Sequence, residues 1–454
     1  MTDVQKKTYS MTVFGCQMNE RDAETLRGFL TELGYEETET AEGADLIILN
    51  TCAVRQKAEE KVFGLIGRLG RLKAKNPELK IAVCGCMAQQ PEVAQKIKKK
   101  YPFVDLVFGT HNIAAFPQLL QRALESEETV IDLREEAEGV VEGLPVVRQD
   151  SVKAWVNITF GCNNFCSYCI VPYVRGRERS RRPEEILKEI TLLAERGYLE
   201  VTLLGQNVNS YGKDLPDGID FADLLARVDR ETGIKRIRFT TSHPRDFTAK
   251  LAETMARGKN ICPHLHLPVQ AGSNKILALM NRGYTREHYL EKVKMLREFL
   301  PGCAITTDLI VGFPGETEDD FAETLDLVEQ VSFDAAFTFM YSKRSGTPAA
   351  GMPNQVPTEV KKERLQRLIA LQNKHSLRHN AALVGSTVEV LVDGPSKTDP
   401  TVWSGKTATN KTVNFGGKNI CKGQFVPVEI TEARTWSLMG RICLDNRDAN
   451  DSAV

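Results

Sequence analysis

Gly161-Cys162-Asn163-Asn164-Phe165-Cys166-Ser167-Tyr168-Cys169 places three cysteines within eight residues, directly after Ala154–Thr159, an apolar run that reads as a β-strand. The loop offers three thiolates and no fourth. Structural zinc takes four protein ligands, and no His or further Cys lies nearby in the sequence, so zinc is poorly supported. A [4Fe–4S] cluster held by three cysteines instead keeps one iron open, free to coordinate a second molecule and pass it an electron. The position agrees with that chemistry, because barrel enzymes carry their reactive groups at the C-terminal ends of their strands.

Around this loop, strand and helix signals recur at the spacing of β/α barrel units from residue 151 to about 380. The readable strands are Ala154–Thr159, Glu200–Leu204, Arg236–Thr241, His264–Val269, Ala304–Val311 and Ala335–Tyr341. Six are fewer than the eight of a closed barrel, so the expectation is an open, partial (β/α)6 barrel with a long closing helix over Lys361–Arg378. Residues 1–130 predict a separate α/β unit with a flavodoxin-like parallel sheet. Its strands are expected at Tyr9–Phe14, Asp45–Leu49, Lys80–Val83 and Asp105–Phe108. Its helices are expected at Arg21–Leu33, Gln56–Leu72, Pro91–Lys100 and Ile113–Ser126. Residues 131–150 read as an irregular acidic connection. Over 381–445, short strands at Thr387–Val392, Val402–Thr407, Thr412–Phe415 and Gln424–Ala433 predict a small β-barrel, followed by a frayed tail at 446–454.

The 454 residues are 42% hydrophobic and 26% charged, enough apolar surface for several cores and the balance of an α/β globular protein rather than a disordered chain. No run approaches the ~18 apolar residues of a membrane span, so the expectation is a cytoplasmic protein without membrane attachment. That compartment keeps thiols reduced, which makes eleven cysteines a sign of metal or redox chemistry. Net charge is −1, so any polyanion must be met by a local patch. Arg175, Arg177, Arg179, Arg181 and Arg182 form one.

A second trio needs only the strand pattern. Cys16, Cys52 and Cys86 each follow a predicted strand of the first unit, and the carboxyl ends of parallel strands gather on one sheet edge. Three thiols distant in sequence thereby converge on one site, again with an iron left open. Cys84, Cys262, Cys303, Cys421 and Cys443 read as inert thiols. His264 and His266 share one strand face and read as satisfied barrel-interior residues, with metal binding the alternative. Arg282 and Arg344 could hold a carboxylate or phosphate, although solvated surface arginines are commoner.

The Cys-x3-Cys-x2-Cys loop with Tyr168 before its last cysteine resembles the radical S-adenosylmethionine superfamily. That resemblance implies that Cys162, Cys166 and Cys169 hold a [4Fe–4S] cluster. S-adenosylmethionine binds its open iron and is cleaved to a 5′-deoxyadenosyl radical. It also implies cofactor contacts from Tyr168, from Gly205 and Gln206 in the turn Leu204-Gly205-Gln206-Asn207, from Arg282, and from Asp308 with Gly312-Phe-Pro-Gly-Glu316.

Two such trios followed by a small barrel resemble the methylthiotransferase family over nearly the whole chain. Val171-Pro-Tyr-Val-Arg-Gly176, Leu203-Leu-Gly-Gln-Asn-Val-Asn209 and Leu267-Pro-Val-Gln-Ala-Gly-Ser273 come closest to its bacterial transfer RNA branch. The resemblance implies two [4Fe–4S] clusters, S-adenosylmethionine, a tRNA substrate methylthiolated at carbon 2 of N6-dimethylallyladenosine beside the anticodon, and catalytic roles for all six cysteines. A low-potential electron donor such as flavodoxin or ferredoxin and a monomeric state are further expectations. Ser404-Gly-Lys406-Thr-Ala-Thr-Asn-Lys411 resembles the TRAM RNA-binding domain, so Lys406 and Lys411, with Arg175, Arg177 and Arg179, are the expected RNA contacts. A ribosomal-protein aspartate or a threonylcarbamoyl-adenosine is the alternative substrate within the family. An iron–sulfur carrier or an RNA-binding protein is the alternative outside catalysis.

Overall fold

The computed structural model describes residues 6–53, 56–136, 139–397 and 399–443; the expected tail at 446–454 lies outside them. The first unit is a parallel sheet in the order β2-β1-β3-β4-β5-β6. Its strands are β1 (Thr8–Val13), β2 (Glu36–Glu37), β3 (Leu46–Thr51), β4 (Lys80–Gly85), β5 (Leu106–Phe108) and β6 (Val130–Asp132). The helices α1 (Gln17–Glu32), α2 (Gln56–Lys75), α3 (Pro91–Lys100) and α4 (Phe116–Glu125) alternate with them. Strand β3 is buried along its whole length, as a central parallel strand covered on both faces must be. The edge strands β2 and β6 escaped the sequence reading because neither carries an apolar run. Helix α1 starts at Gln17, a turn before the expected Arg21, so that Cys16 becomes its N-cap. The helix expected from Ile113 begins as a 3-10 turn over Thr110–Ala115.

The second unit runs β7 (Lys153–Asn157), β8 (Thr159–Phe160), β9 (Arg179–Ser180), β10 (Glu200–Leu204), β11 (Arg236–Phe239), β12 (His264–His266), β13 (Ala304–Val311) and β14 (Ala335–Met340). Its helices are α5 (Val171–Arg175), α6 (Pro183–Glu195), α7 (Phe221–Glu231), α8 (Ala249–Arg257), α9 (Asn274–Leu279), α10 (Arg286–Phe299), α11 (Glu318–Val331) and α12 (Thr358–Ala381). Strands β7, β10 and β11 pair in parallel, as do β12, β13 and β14. An isolated parallel bridge between Ile237 and Ile261 connects the two sheets. Among the described residues β7 and β14 do not pair, and the barrel is open as expected. Two strands end early for local reasons. β12 stops at His266 because Pro268 has no N–H to donate, and Thr159–Phe160 leaves β7 to pair antiparallel with β9.

The last unit is a closed barrel, β15-β16-β17-β19-β18, built from β15 (Thr387–Pro395), β16 (Trp403–Thr407), β17 (Thr412–Gly416), β18 (Phe425–Ala433) and β19 (Leu438–Ile442). The strand β19, missed in the sequence reading, closes it. This barrel sits beneath the N-terminal ends of the partial barrel's strands. Arg236 donates to the Lys406 carbonyl at 2.8 Å, and Arg238 to those of Thr407 at 2.7 Å and Ala408 at 2.9 Å. The floor of the larger barrel is therefore shut, and its C-terminal mouth is the way in.

The connection ties the first unit to the second. It lies against α1 at Gly28, where an added Cβ would stand 2.4 Å from the Pro145 carbonyl carbon. Only glycine admits that approach. Beyond it an ionic seam closes the junction. Glu189 of α6 accepts from Arg148 and Arg181, each at 2.6 Å, and pairs with Arg21 of α1 at 3.4 Å. Arg148 also bonds Glu24 at 3.1 Å and the Trp155 carbonyl of edge strand β7 at 2.7 Å. Replacing Glu189→Ala leaves three largely buried guanidinium groups without their shared anion, at a cost of about 3 kcal/mol. The expected outcome is a lower thermal midpoint and faster limited proteolysis between residues 139 and 150.

Candidate active site between two cysteine trios

Strands β1, β3 and β4 are neighbours, so the residues just past their carboxyl ends, Cys16, Cys52 and Cys86, reach one edge of the sheet. The turn at Gly15 adopts φ +115°, and an added Cβ there would lie 2.5 Å from Cys52 Cβ and 2.7 Å from its sulfur. Glycine lets the backbone before Cys16 press onto Cys52. Asn19, one turn into α1, donates to the carbonyls of Phe14 and Thr51, both at 2.8 Å, and so fixes the loops carrying Cys16 and Cys52. Cys16 is the N-cap of α1, so its backbone is fixed by the start of that helix.

The second trio occupies the loop after β7. Ser167 donates to the Leu279 carbonyl at 2.7 Å, and the Asn281 side chain to the Phe165 carbonyl at 3.0 Å, so α9 and its exit hold the loop from below. Phe165 adopts φ +48° and packs edge-on to Tyr173. Arg282 is buried rather than solvated. It donates to Cys166 Sγ at 3.2 Å, to the Pro268 carbonyl at 2.8 Å and to the Tyr284 hydroxyl at 3.0 Å. Tyr168 packs edge-on to Phe313, and Phe313 to Tyr341, a line of rings joining the Cys169 end of the loop to the end of β14.

The two trios meet. Cys169 leads into Ile170 and α5, and Ile170 and Val174 pack with Ala53 and Cys86 in one small buried cluster. From the end of α5, Arg175 donates to Cys86 Sγ at 3.2 Å, to Asn19 Oδ1 at 2.8 Å and to Asp22 Oδ2 at 2.7 Å. A buried arginine thus serves a sulfur of each trio, which suits ligands of an anionic cluster. Among the described residues no three His, Cys, Asp or Glu side chains close tightly enough to hold a single metal ion. Three thiols in each set, with a buried guanidinium on one sulfur of each, are the donor chemistry of an anionic iron–sulfur cluster.

Burial pushes the Cys86 thiol up to about 12, against the pull of Arg175, with Cys16 and Cys52 raising it further. Burial takes Cys162 to about 11 and, with Cys166 beside it, Cys169 to about 12.

The remaining expected residues divide. Gly205 and Gln206 form the turn after β10, where the side-chain oxygen Gln206 Oε1 is buried without a hydrogen-bond partner. Asp308 lies in the middle of β13 rather than at its end, opposite Phe337 and 3.6 Å from His266 Nε2, a carboxylate partner invisible in sequence spacing. His264 and His266 both bond Thr306 Oγ1, at 3.1 and 3.0 Å.

The arginine run divides, and both barrel lysines have partners within the protein. Arg175 is 5% exposed and spent on Cys86 and Asp22. Arg181 is spent on Glu142 and Glu189. Lys411 pairs with Asp334 at 2.9 Å in the barrel floor, and Lys406 donates to Thr412 Oγ1 at 2.8 Å. Arg177 is exposed, over the Phe165 ring. Arg179 lines a cavity of about 470 Å³ between α1, the connection and α6. Asn19 and Asp22 were missed, although their spacing of three and six from Cys16 places them near the start of the helix that Cys16 caps.

Residues 156–328 match the radical SAM superfamily, 8–109 the uncharacterized protein family UPF0004 and 381–443 the TRAM domain. The chain is 58% identical over 437 residues to the tRNA-2-methylthio-N(6)-dimethylallyladenosine synthase of Moorella thermoacetica, covering 96% of this chain and 98% of that protein. It is 56% identical to the protein of the same name from Desulforamulus reducens, covering 96% and 95%. Among solved structures it is similar to the radical S-adenosylmethionine methyltransferase TsrM from Kitasatospora setae, with TM-score 0.54, 14% identity and 76% and 75% coverage. It is also similar to the cobalamin-dependent S-adenosylmethionine radical enzyme OxsB, with TM-score 0.50, 15% identity and 82% and 56% coverage. At those identities the likeness shows the fold alone.

The raised thiols carry a pH consequence for the protein stripped of iron. Unfolded cysteines ionise near 9, whereas these three stay protonated to about 11 or 12, so the folded state binds more protons over that interval. Folding stability is then full below pH 9 and falls as pH rises towards 11. Denaturant midpoints of the iron-free protein across that range are expected to drop, and those of a Cys86→Ala/Cys162→Ala/Cys169→Ala variant to drop less.

Proposed function

The chain belongs to the family of tRNA-2-methylthio-N(6)-dimethylallyladenosine synthases, and from that premise we infer that it attaches a methylthio group to carbon 2 of N6-dimethylallyladenosine beside the anticodon of tRNA. The observation that carries this reading is the contact of the two trios through Ile170 and Arg175. A sulfur donor and a radical generator must address the same carbon atom, and here one five-residue helix separates them.

In this reading Cys162, Cys166 and Cys169 hold one [4Fe–4S] cluster, and Cys16, Cys52 and Cys86 hold the other. With S-adenosylmethionine bound, these groups supply a hydrogen-abstracting radical and a transferable methylated sulfur, chemistry that protein side chains lack. The chain's own residues position and insulate. Arg282 and Arg175 each present a charged N–H to a ligand sulfur, which orients the thiolate and offsets its charge. Asp22 and Asn19 keep Arg175 in place, and Asn19 Oδ1 also accepts from Cys86 Sγ at 3.6 Å, so loss of either loosens Cys86. Tyr168 and Phe313 wall the mouth beside the Cys162 loop and keep water from it. The turn at Gly205 and Gln206 offers an unpartnered buried acceptor suited to an ammonium or amide donor of S-adenosylmethionine, and Asp308 reaches into the same lumen.

Arg177 and Arg179 flank the approach and are suited to loop phosphates, and a splayed anticodon-loop base reaches the mouth. The electron donor in this reading is a low-potential flavodoxin or ferredoxin, and the enzyme works as a cytoplasmic monomer. Among the described residues no helix is long and apolar enough to cross a membrane.

Nucleoside mass spectrometry of tRNA from a host lacking the gene is expected to show N6-dimethylallyladenosine in place of its 2-methylthio derivative; unchanged methylthiolated nucleoside sinks the reading. Two variants then separate the trios. Cys162→Ala is expected to abolish 5′-deoxyadenosine formation from S-adenosylmethionine under dithionite. Cys86→Ala is expected to retain that cleavage while losing methylthiolation, each variant keeping one cluster's iron.

A further inference from the structure

Strand β14 shows two different faces. Ala336 is buried in the core beneath the helices, whereas Phe337 and Phe339 turn the other way, 61% and 43% exposed. The face opposite the helices is the inside of the partial barrel. In register, Phe337 lies beside Asp308 and Phe339 beside Ile310 on β13. The Phe337 ring also meets the His266 imidazole edge-on, with centroids 6.0 Å apart. The lumen is therefore divided. His264 and His266, both bonded to Thr306, with the Asp308 carboxylate 3.6 Å from His266, make a polar side, and two large exposed rings make an apolar one.

These rings are placed near the chemistry. Tyr341, at the end of the same strand, packs on Phe313, and Phe313 on Tyr168 of the cysteine loop. Two exposed phenylalanines on an inner wall below that loop are a surface waiting for an apolar occupant. The substrate of the reading above differs from ordinary adenosine by one five-carbon apolar chain. Nothing polar on that chain could be read, so its recognition must come from burial against apolar surface.

We propose that Phe337 and Phe339 form the wall that takes the dimethylallyl group of the substrate adenosine and so make the enzyme select prenylated tRNA. This rests on the function inferred above. Removal of either ring takes away the apolar surface that would cover the group, and a hydrophobic wall discriminates apolar groups of this size by about tenfold or more.

The test is binding of fluorescent anticodon stem-loops, with and without the dimethylallyl group, to the reconstituted enzyme with S-adenosylmethionine present. Both side chains are exposed, so Phe337→Ala and Phe339→Ala should fold. The expected result is that each variant loses about tenfold or more of its affinity for the prenylated RNA and approaches that for the unprenylated one, while Phe337→Leu restores part of the preference. An unchanged ratio between the two RNAs overturns the proposal, and so does an equal loss for both. Weaker S-adenosylmethionine binding with the RNA preference intact assigns the wall to that ligand, which also overturns it. If the wild-type enzyme does not distinguish the two RNAs, the inferred substrate itself falls and the wall with it. That outcome differs visibly from a wild-type preference that survives in the variants.

Discussion

Arg175 sits where two units of the chain must agree. Its guanidinium reaches Cys86 Sγ, Asn19 and Asp22 at once, and its backbone ends the short helix that starts two residues after Cys169. A lysine could not do this, because three partners in different directions need the planar fork of an arginine. The five residues of α5 span about 8 Å, so the trios are held at a separation set by a rigid element rather than by a hinge. Asp22 makes the burial of that cation tolerable, and one carboxylate on α1 thereby helps fix the geometry of both cysteine sites.

The rest of the architecture supports that juncture. The connection lies on α1 at Gly28, and the Glu189 seam clamps α1 to α6. These contacts cover the edge of β7, which an open barrel would otherwise leave with unpaired backbone groups. At the opposite end the small barrel plugs the floor with the carbonyls of Lys406, Thr407 and Ala408. With floor and side closed, a substrate base has the mouth beside the cysteines as its route. The division of the lumen into a polar side at His266 and an apolar side at Phe337 then decides what the mouth admits.

Much of this was legible in the residues. The spacing of Cys162, Cys166 and Cys169 is local chemistry, and the placement of Cys16, Cys52 and Cys86 after successive strands is a topological argument that needs no contacts. The six strands of the partial barrel were also readable, because their apolar and β-branched residues recur at the spacing of β/α units. That Arg175 and Arg181 of the arginine run are buried was not legible, for an equally physical reason. Charge counted along a sequence does not say which way each side chain points, and Arg175 and Arg181 point inward to carboxylates from α1, α6 and the connection. Arg282 was hidden in the same way, its partners lying in Cys166, Pro268 and Tyr284. The strand β19 escaped because its five residues, Leu438–Ile442, include a glycine and an arginine and carry no long apolar pattern.

What the sequence by itself determined is therefore periodic or local: the three units, the gathering of two sets of three thiols and the open barrel. These follow from side-chain alternation, strand ends and spacing, which are properties of short stretches of chain. Only the tertiary structure decided which cations face sulfur and which face solvent, that the small barrel forms a floor, and that Phe337 and Phe339 look into the lumen. Those facts depend on pairing between residues tens to hundreds of positions apart, and burial and charge neutralisation are settled only when such residues are brought into contact.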